Sequence, residues 1–113
     1  MHITKTKYDN VNLSAYHGHK ICSTVYELTR LFGEPDTNNS KEDKTNYEWC
    51  LSLTSEDYDV IYFTIYDWKR DIKQGVNNGE IFFHIGGYST LETYAALTAL
   101  SNYIEINKNS VEI

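Results

Sequence analysis

The sequence predicts an α+β protein in which an antiparallel β-sheet of three or more strands is covered by two helices. Two stretches combine helix caps with apolar residues at helical spacing, and three shorter runs are rich in β-branched and aromatic residues and are bounded by polar turns. No linker or internal repeat divides the 113 residues. Residues 1–113 are therefore expected to form a single compact domain.

The N-terminal residues show the weakest pattern of secondary structure. Residues 2–20 mix short β-like pieces with polar residues, and the segment "AYHGHKI" at 15–21 is interpreted as a turn that leads into the first helix. His17 and His19 lie in this segment without further ligands at metal-type spacing. We interpret them as surface histidines and expect no metal site.

The first helix is predicted over residues 24–32. Thr24 suits the N-cap position, and Glu27, three residues later, completes a capping-box pattern. Gly33 and then Pro35 follow the last apolar residue, as is common at helix ends. One face of this helix is apolar at helical spacing, through Val25, Leu28, Leu31 and Phe32.

Three strands are predicted after a polar loop. Residues 47–54 alternate with period two, and one face carries Tyr47, Trp49, Leu51 and Leu53. Residues 60–66 are apolar on both faces, which is typical of a central strand. Residues 80–85 place Phe83 on the face expected to meet the helices and His84 on the opposite face.

The second helix is predicted from Ser89, which forms another capping-box pattern with Glu92, to about residue 104. The remaining tail, 105–113, is expected to fray or to add a short edge strand. No apolar run reaches spanning length and Met1 is followed by polar residues, so we expect neither a transmembrane helix nor a signal peptide.

Composition limits the partners. The net charge is −6, from sixteen acidic and ten basic residues, and argues against direct DNA binding and against an anionic membrane surface. Cys22 and Cys50 lack metal-type spacing. We interpret both as buried free thiols of a cytoplasmic protein, which pair only if the fold brings them together.

The end of the second predicted strand carries Tyr66, Asp67, Trp68 and Lys69. An aromatic ring can stack on a base, a carboxylate can accept hydrogen bonds from a ribose or an amine, and a lysine can meet a phosphate. These groups are components of a nucleotide-type pocket. The alternative is an amphipathic strand end with a core tryptophan and a solvated ion pair.

The end of the third predicted strand carries His84, Gly86 and Gly87 in front of a capped helix. Glycines at that position let backbone N–H groups approach a phosphate or carboxylate. The alternative is a tight strand-to-helix turn with a locally hydrogen-bonded His84. Antiparallel topology can place the two clusters at the same end of the sheet or at opposite ends.

Motifs for catalysis are missing from the sequence. Neither cysteine lies in a nucleophile motif, and the chain has no nucleophile elbow, P-loop or dinucleotide fingerprint. We therefore expect a protein that is not an enzyme and that uses no cofactor.

The segments "YELTRLFGEP", "YEWCLSL", "FTIYDWK" and "FHIGG", followed by a closing helix, resemble a group of small proteins encoded in bacteriophage and prophage genomes. In that group the last motif reads Trp-His-Ile-Gly-Gly, and Phe83 stands at the position of its tryptophan. The resemblance covers about residues 13–100.

This resemblance implies an accessory protein directed against host defence in the host cytoplasm. In one mechanism the protein is a sponge that binds a nucleotide-derived immune signal, with residues 66–69 and 84–87 as the pocket and a homo-oligomer completing it. In the other it is an inhibitor that covers a host nuclease or other defence protein through tyrosines and acidic loops.

Overall fold

The computed structural model describes residues 2–36, 47–56, 59–67 and 80–111. These residues form a five-stranded antiparallel sheet and two α-helices, which confirms the predicted α+β class. In chain order the elements are β1 (His2–Lys5), a short 3₁₀ turn (Tyr8–Asn10), β2 (Ala15–Ser23), α1 (Val25–Phe32), β3 (Glu48–Thr54), β4 (Ile61–Tyr66), β5 (Ile81–Gly87) and α2 (Thr90–Val111).

The strands lie in the order β1-β3-β4-β5-β2, and each neighbouring pair is antiparallel. The run predicted as a central strand is β4, which lies between β3 and β5. Strands β1 and β2 are the two edges. The N-terminal part of the chain therefore supplies both edges of the sheet, while the three predicted strands form its centre.

Both helices cover one face of the sheet, here called the inner face; the other is the outer face. The alternation predicted for β3 is confirmed, since Trp49, Leu51 and Leu53 are fully buried on the inner face. They pack with Phe63 and Ile65 of β4, Phe83 and Ile85 of β5, and Leu28, Phe32, Ala96, Ala99, Leu100 and Ile104 of the helices. This single cluster fixes which side chains the outer face presents.

Helix α1 begins and ends where the sequence predicts. The Thr24 side chain accepts a hydrogen bond from the Glu27 backbone N–H at 2.9 Å. The Glu27 carboxylate accepts from the Ser23 hydroxyl at 2.6 Å, so only one half of the capping box forms. At the other end, Gly33 adopts a φ of 85°, which favours glycine.

Replacing Thr24 with alanine is expected to lower the free energy of unfolding by about 1 kcal/mol, because the Glu27 N–H loses its acceptor. Urea denaturation followed by circular dichroism measures this change. Thr98→Ala, at an exposed position of α2, is the control. We expect it to be neutral or slightly stabilising because alanine favours the helix. Equal losses in the two variants would contradict the capping role.

The prediction of a turn at 15–21 is wrong, because these residues belong to the nine-residue edge strand β2. Gly18 has a φ of 96°, and the register of β2 against β5 shifts between Tyr16 and Lys20. This bulge breaks the alternation of polar and apolar residues, which is the pattern that reveals a strand in a sequence.

The predictions for the C-terminal half need two corrections. Strand β5 continues through Gly86 and Gly87, so these glycines are not a strand-to-helix turn; the bend falls at Tyr88 and Ser89 instead. Helix α2 begins at Thr90 after the predicted cap, where the Glu92 N–H donates to the Ser89 hydroxyl at 3.1 Å. The helix continues to Val111, so the tail neither frays at residue 105 nor adds an edge strand.

The two cysteines are free, and Cys50 is buried as expected whereas Cys22 is exposed. Strands β5 and β4 separate the strands that carry them, so the thiols are too far apart for a disulfide. Within the described residues, no helix has the length and apolar character needed to cross a membrane.

Candidate functional site

The outer face of the sheet brings polar and aromatic side chains from four strands together. Residues that pair across antiparallel strands share a face, so the strand registers define two neighbouring rows. The first row is Lys20, His84, Tyr66 and Glu48, and the second is Tyr16, Gly86, Thr64 and Cys50. These two rows are the candidate functional site.

An aromatic stack occupies one side of this site. The ring of His84 lies parallel to the ring of Tyr16, with centroids 4.1 Å apart and an interplanar angle of 25°. The Tyr66 ring lies on the neighbouring strand, 5.4 Å from His84 at 54°. Only 7% of His84 is exposed, whereas Tyr16 is 40% exposed. Tyr16 is therefore the exposed ring of the stack, and His84 lies beneath it.

An open pocket of about 220 Å³ adjoins the stack. Its walls come from the sheet and from the segment that crosses the outer face before β2, and they are Tyr8, Val11, Asn12, Ser14, Glu48, Thr64 and Tyr66. Two hydrogen bonds hold this segment, from the Tyr88 hydroxyl to the Asn10 carbonyl at 2.6 Å and from the Asn10 amide to the Thr6 hydroxyl at 2.8 Å. The pocket wall is thus supported from both sides.

Glu48 is the acidic group of the pocket. Its Oε2 atom accepts a hydrogen bond from the Thr64 hydroxyl at 2.8 Å, and no other described residue donates to this carboxylate. Burial raises the pKa of Glu48, the Thr64 hydrogen bond opposes this rise, and the nearby Asp36 carboxylate adds to it. The surroundings of Glu48 therefore disfavour its ionised form.

The neighbouring acidic groups stay protonated at neutral pH. Burial, with contributions from Glu48 and Tyr16, raises the pKa of Tyr66 to about 12. Burial, with contributions from Glu48 and Asp36, also raises the pKa of Cys50 to about 12. A thiol with such a pKa supplies almost no thiolate. Neither group is therefore activated as a nucleophile.

Gly86 forms part of the floor of the site. A Cβ atom at Gly86 would lie 2.8 Å from Thr64 Cγ2, 3.3 Å from Tyr66 Cε1 and 3.4 Å from Ser14 Oγ. The missing side chain thus lets the Tyr66 ring and the Ser14 segment approach the sheet. A Cβ atom at Gly87 would instead point to the inner face and lie 2.6 Å from Thr93 Cγ2 of α2.

The structure brings together only part of the predicted site. Tyr66 and His84 pair across β4 and β5, and Gly86 lies beside them, so these members of the two clusters share one surface. Asp67 is 2% exposed, and its Oδ1 accepts a hydrogen bond from the Tyr47 N–H at 2.9 Å, so its carboxylate stabilises the start of β3.

Two further predictions have different outcomes. Trp68 and Lys69 lie outside the described residues. Gly86 and Gly87 are paired strand residues, opposite Tyr16 and Ala15, so they form neither the anion-binding turn nor the tight strand-to-helix turn that the sequence left open. Gly87 instead permits close packing of α2 on β5.

Sequence reasoning missed Glu48, Thr64, Ser14 and Tyr16. The alternation of β3 does place Glu48 on the polar face, opposite Trp49. The alternation does not predict the register of β3 against β4. That register places Glu48 directly across from Tyr66. The sequence signal for Glu48 was its position among the polar residues of a predicted strand next to the predicted site.

A second pocket, of about 280 Å³, lies where α1 meets the edge strand β2. It is larger, and its lining ranges from exposed (Cys22, Tyr26, Arg30, Glu80) through half-buried (Thr24, Glu27) to buried (Ser23, Ile104). It contains none of the residues that the sequence singled out as ligand-binding. We therefore assign the candidate site to the outer face.

The chain matches no family profile, no curated protein and no solved structure. The described part of the chain also has no group of three or more His, Cys, Asp or Glu side chains that could hold a metal ion. The chemistry of the outer face is therefore the basis for assigning a function. It offers an exposed ring for stacking, a half-buried carboxylate and several hydroxyl groups.

Glu48→Gln is expected to stabilise the fold at neutral pH, although it removes a hydrogen-bonded carboxylate. Because the folded-state pKa of Glu48 lies above its unfolded value near 4.5, stability is fully present below that value and falls as pH rises through the folded-state pKa. The melting temperature of the variant should exceed that of the wild type at pH 7–8, and the difference should shrink towards pH 4. A variant that is less stable at pH 7 would contradict this.

Proposed function

We propose that this protein acts by binding, as a phage-encoded antagonist of host defence that sequesters a nucleotide-derived immune signal on its outer face. One observation carries this proposal: the stacked Tyr16, His84 and Tyr66 rings adjoin a pocket walled by the Glu48 carboxylate. Stacking surfaces beside hydrogen-bonding groups suit nucleobases. The phage origin comes from the resemblance of the sequence motifs.

The pocket volume supports a partial enclosure of the ligand. Small-molecule sites usually measure about 300–1,000 Å³, and about 220 Å³ is room for one base-sized group. The remainder of a nucleotide would then lie along the open outer face. There Lys20, which follows His84 in the same row, supplies a positive charge for a phosphate.

Sequestration requires no chemical step. The Tyr66 phenol and the Cys50 thiol both have pKa values near 12, so they keep their protons and are poor nucleophiles. A non-enzymatic role fits these two groups. A homo-oligomer that completes the partly open pocket across subunits is part of the proposal, and light scattering coupled to size-exclusion chromatography would detect it.

A protein inhibitor of a host defence effector or nuclease is the second candidate. Many large apolar side chains are exposed, namely Tyr8, Leu13, Tyr16, Tyr26, Val60, Tyr88, Leu91, Tyr94 and Ile106. Exposed tyrosines are common energetic centres of protein interfaces. With a net charge of −6, the protein would favour a partner with a basic surface.

The two candidates differ in a ligand-release experiment. The purified protein is incubated with a cyclic oligonucleotide or cyclic ADP-ribose, the unbound fraction is removed, and the complex is heated. We expect a thermal shift on binding and recovery of chemically intact ligand. Degraded ligand would indicate an enzyme. No shift with any nucleotide, together with co-purification of a stoichiometric host protein, would overturn sequestration in favour of inhibition.

His84→Ala tests whether binding occurs at the stack. We expect the variant to fold, since His84 lies outside the inner-face core, and to lose most of its affinity because the Tyr16 ring loses its support. Tyr26→Ala is the matched control, because Tyr26 is 77% exposed on α1 and lies away from the outer face. Unchanged affinity in a folded His84→Ala protein would remove the stack from the site.

A further inference from the structure

On the basis of the proposed function, we infer that the outer-face pocket is a subsite for a guanine base. The N–H edge of this base pairs with the Glu48 carboxylate. This names the part of the signalling molecule that the protein recognises. The position and hydrogen bonding of Glu48, together with the side chains that share its pocket, support this assignment.

Glu48 offers acceptors and no donor when it is ionised. The Thr64 hydroxyl shares its proton between Oε2 at 2.8 Å and the Trp49 carbonyl at 3.0 Å, and no described residue donates to Oε1. A carboxylate has about four lone-pair sites, so one hydrogen bond leaves most of its capacity unused. Two N–H groups on one rigid, planar ligand satisfy such a group best, as in bidentate pairing.

Guanine carries that arrangement, because its N1–H and its exocyclic amino group are adjacent donors. Hypoxanthine lacks the amino group, uracil has a single N–H between two carbonyls, and adenine has an acceptor nitrogen next to its amino group. The guanine O6 atom needs a donor, and the Ser14 hydroxyl and the Asn12 amide line the same pocket. The polar groups of the pocket thus complement the whole guanine edge.

The remaining walls favour a flat and uncharged group. Tyr8, which is 59% exposed, and Tyr66 provide aromatic surface, and Val11 adds an apolar contact. No lysine, arginine or histidine is among the described residues that line the pocket. A phosphate inside it would meet the Glu48 carboxylate without a compensating cation, so phosphates are expected outside, towards the Lys20 row.

The protonation state of Glu48 supplies an additional readout of ligand binding. Burial raises the pKa of this carboxyl group, and guanine pairs with its ionised form. Binding therefore favours proton release and should strengthen as pH rises through the pKa of Glu48. Removing the charge with Glu48→Gln places an amide donor or a single carbonyl opposite two N–H donors.

The test is isothermal titration calorimetry with two matched ligand pairs: cyclic di-GMP against cyclic di-AMP, and GMP against IMP. We expect the guanine ligand to bind roughly tenfold or more tightly than its partner in each pair. Glu48→Gln should abolish this preference while remaining folded by circular dichroism. Guanine affinity of the wild type should be weaker at pH 4.5 than at pH 8.

Several results would overturn the guanine subsite. Equal affinity for GMP and IMP would do so, as would a preference that survives in Glu48→Gln. Binding of arginine amide at the pocket without guanine binding would overturn it too, and would point to a peptide ligand. Tight binding of an adenine-only signal on the outer face would overturn the guanine inference and leave sequestration intact, whereas no binding of any nucleotide would end both.

Discussion

Trp49→Ala is expected to lower the free energy of unfolding by about 3–5 kcal/mol, the largest effect we anticipate for a single substitution. Trp49 is fully buried at the centre of the inner-face core. Its indole N–H donates to the Gly33 carbonyl at 2.9 Å, and its ring meets the Phe83 ring edge to face at 6.1 Å. The change therefore leaves a cavity and removes the contact that ties β3 to the end of α1.

Urea denaturation measures this loss, and Tyr26→Ala serves as the control. Because the Tyr26 side chain is 77% exposed, its truncation should change stability by less than about 0.5 kcal/mol. A loss below about 1 kcal/mol for Trp49→Ala would mean that the ring is not packed as described, and would call the inner-face core into question.

Gly86→Ala and Gly87→Ala form a second test with a large expected effect, because these neighbouring residues face opposite sides of the sheet. A Cβ at Gly86 clashes with Thr64, which supports the Glu48 carboxylate, and crowds the Tyr66 ring. We expect Gly86→Ala to weaken guanine-ligand binding at least tenfold, and to cost about 1–3 kcal/mol of stability through overpacking.

Gly87→Ala should cost a similar amount of stability, because its Cβ meets Thr93 of α2 at 2.6 Å. Its ligand affinity, measured by calorimetry on the folded protein, should remain that of the wild type. The two variants thus separate loss of stability from loss of the site. Equal losses of affinity in both would show that binding follows global stability and not the geometry of the outer face.

The local parts of the fold were predictable because local interactions determine them. Thr24 and Gly33 set the ends of α1, and the alternation around Trp49 set the buried face of β3. Strand β2 was missed because the bulge at Gly18 removes its period. The length of α2 was underestimated because its residues beyond 104 are mostly polar, and Ile106 and Val111 alone give no apolar stripe.

Only half of the site was predictable from the sequence, because the rest depends on strand registers. Tyr66 and His84 were identified as members of two clusters, but their pairing depends on the register of β4 against β5, which is a long-range property. Glu48 enters the site through another register, that of β3 against β4. The role of Gly86 also changed, from an anion-binding turn to a floor that a side chain would block.

Amide chemical-shift mapping during a titration with cyclic di-GMP tests the central claim, that the outer face is the binding site, most directly. We predict that the largest shifts in the ¹⁵N–¹H spectrum fall on Glu48, Thr64 and Gly86 and on the segment around Ser14, and that they disappear in Glu48→Gln. Shifts confined to the pocket between α1 and β2, around Arg30, would contradict the account, whereas a spectrum that does not change would overturn the guanine subsite alone.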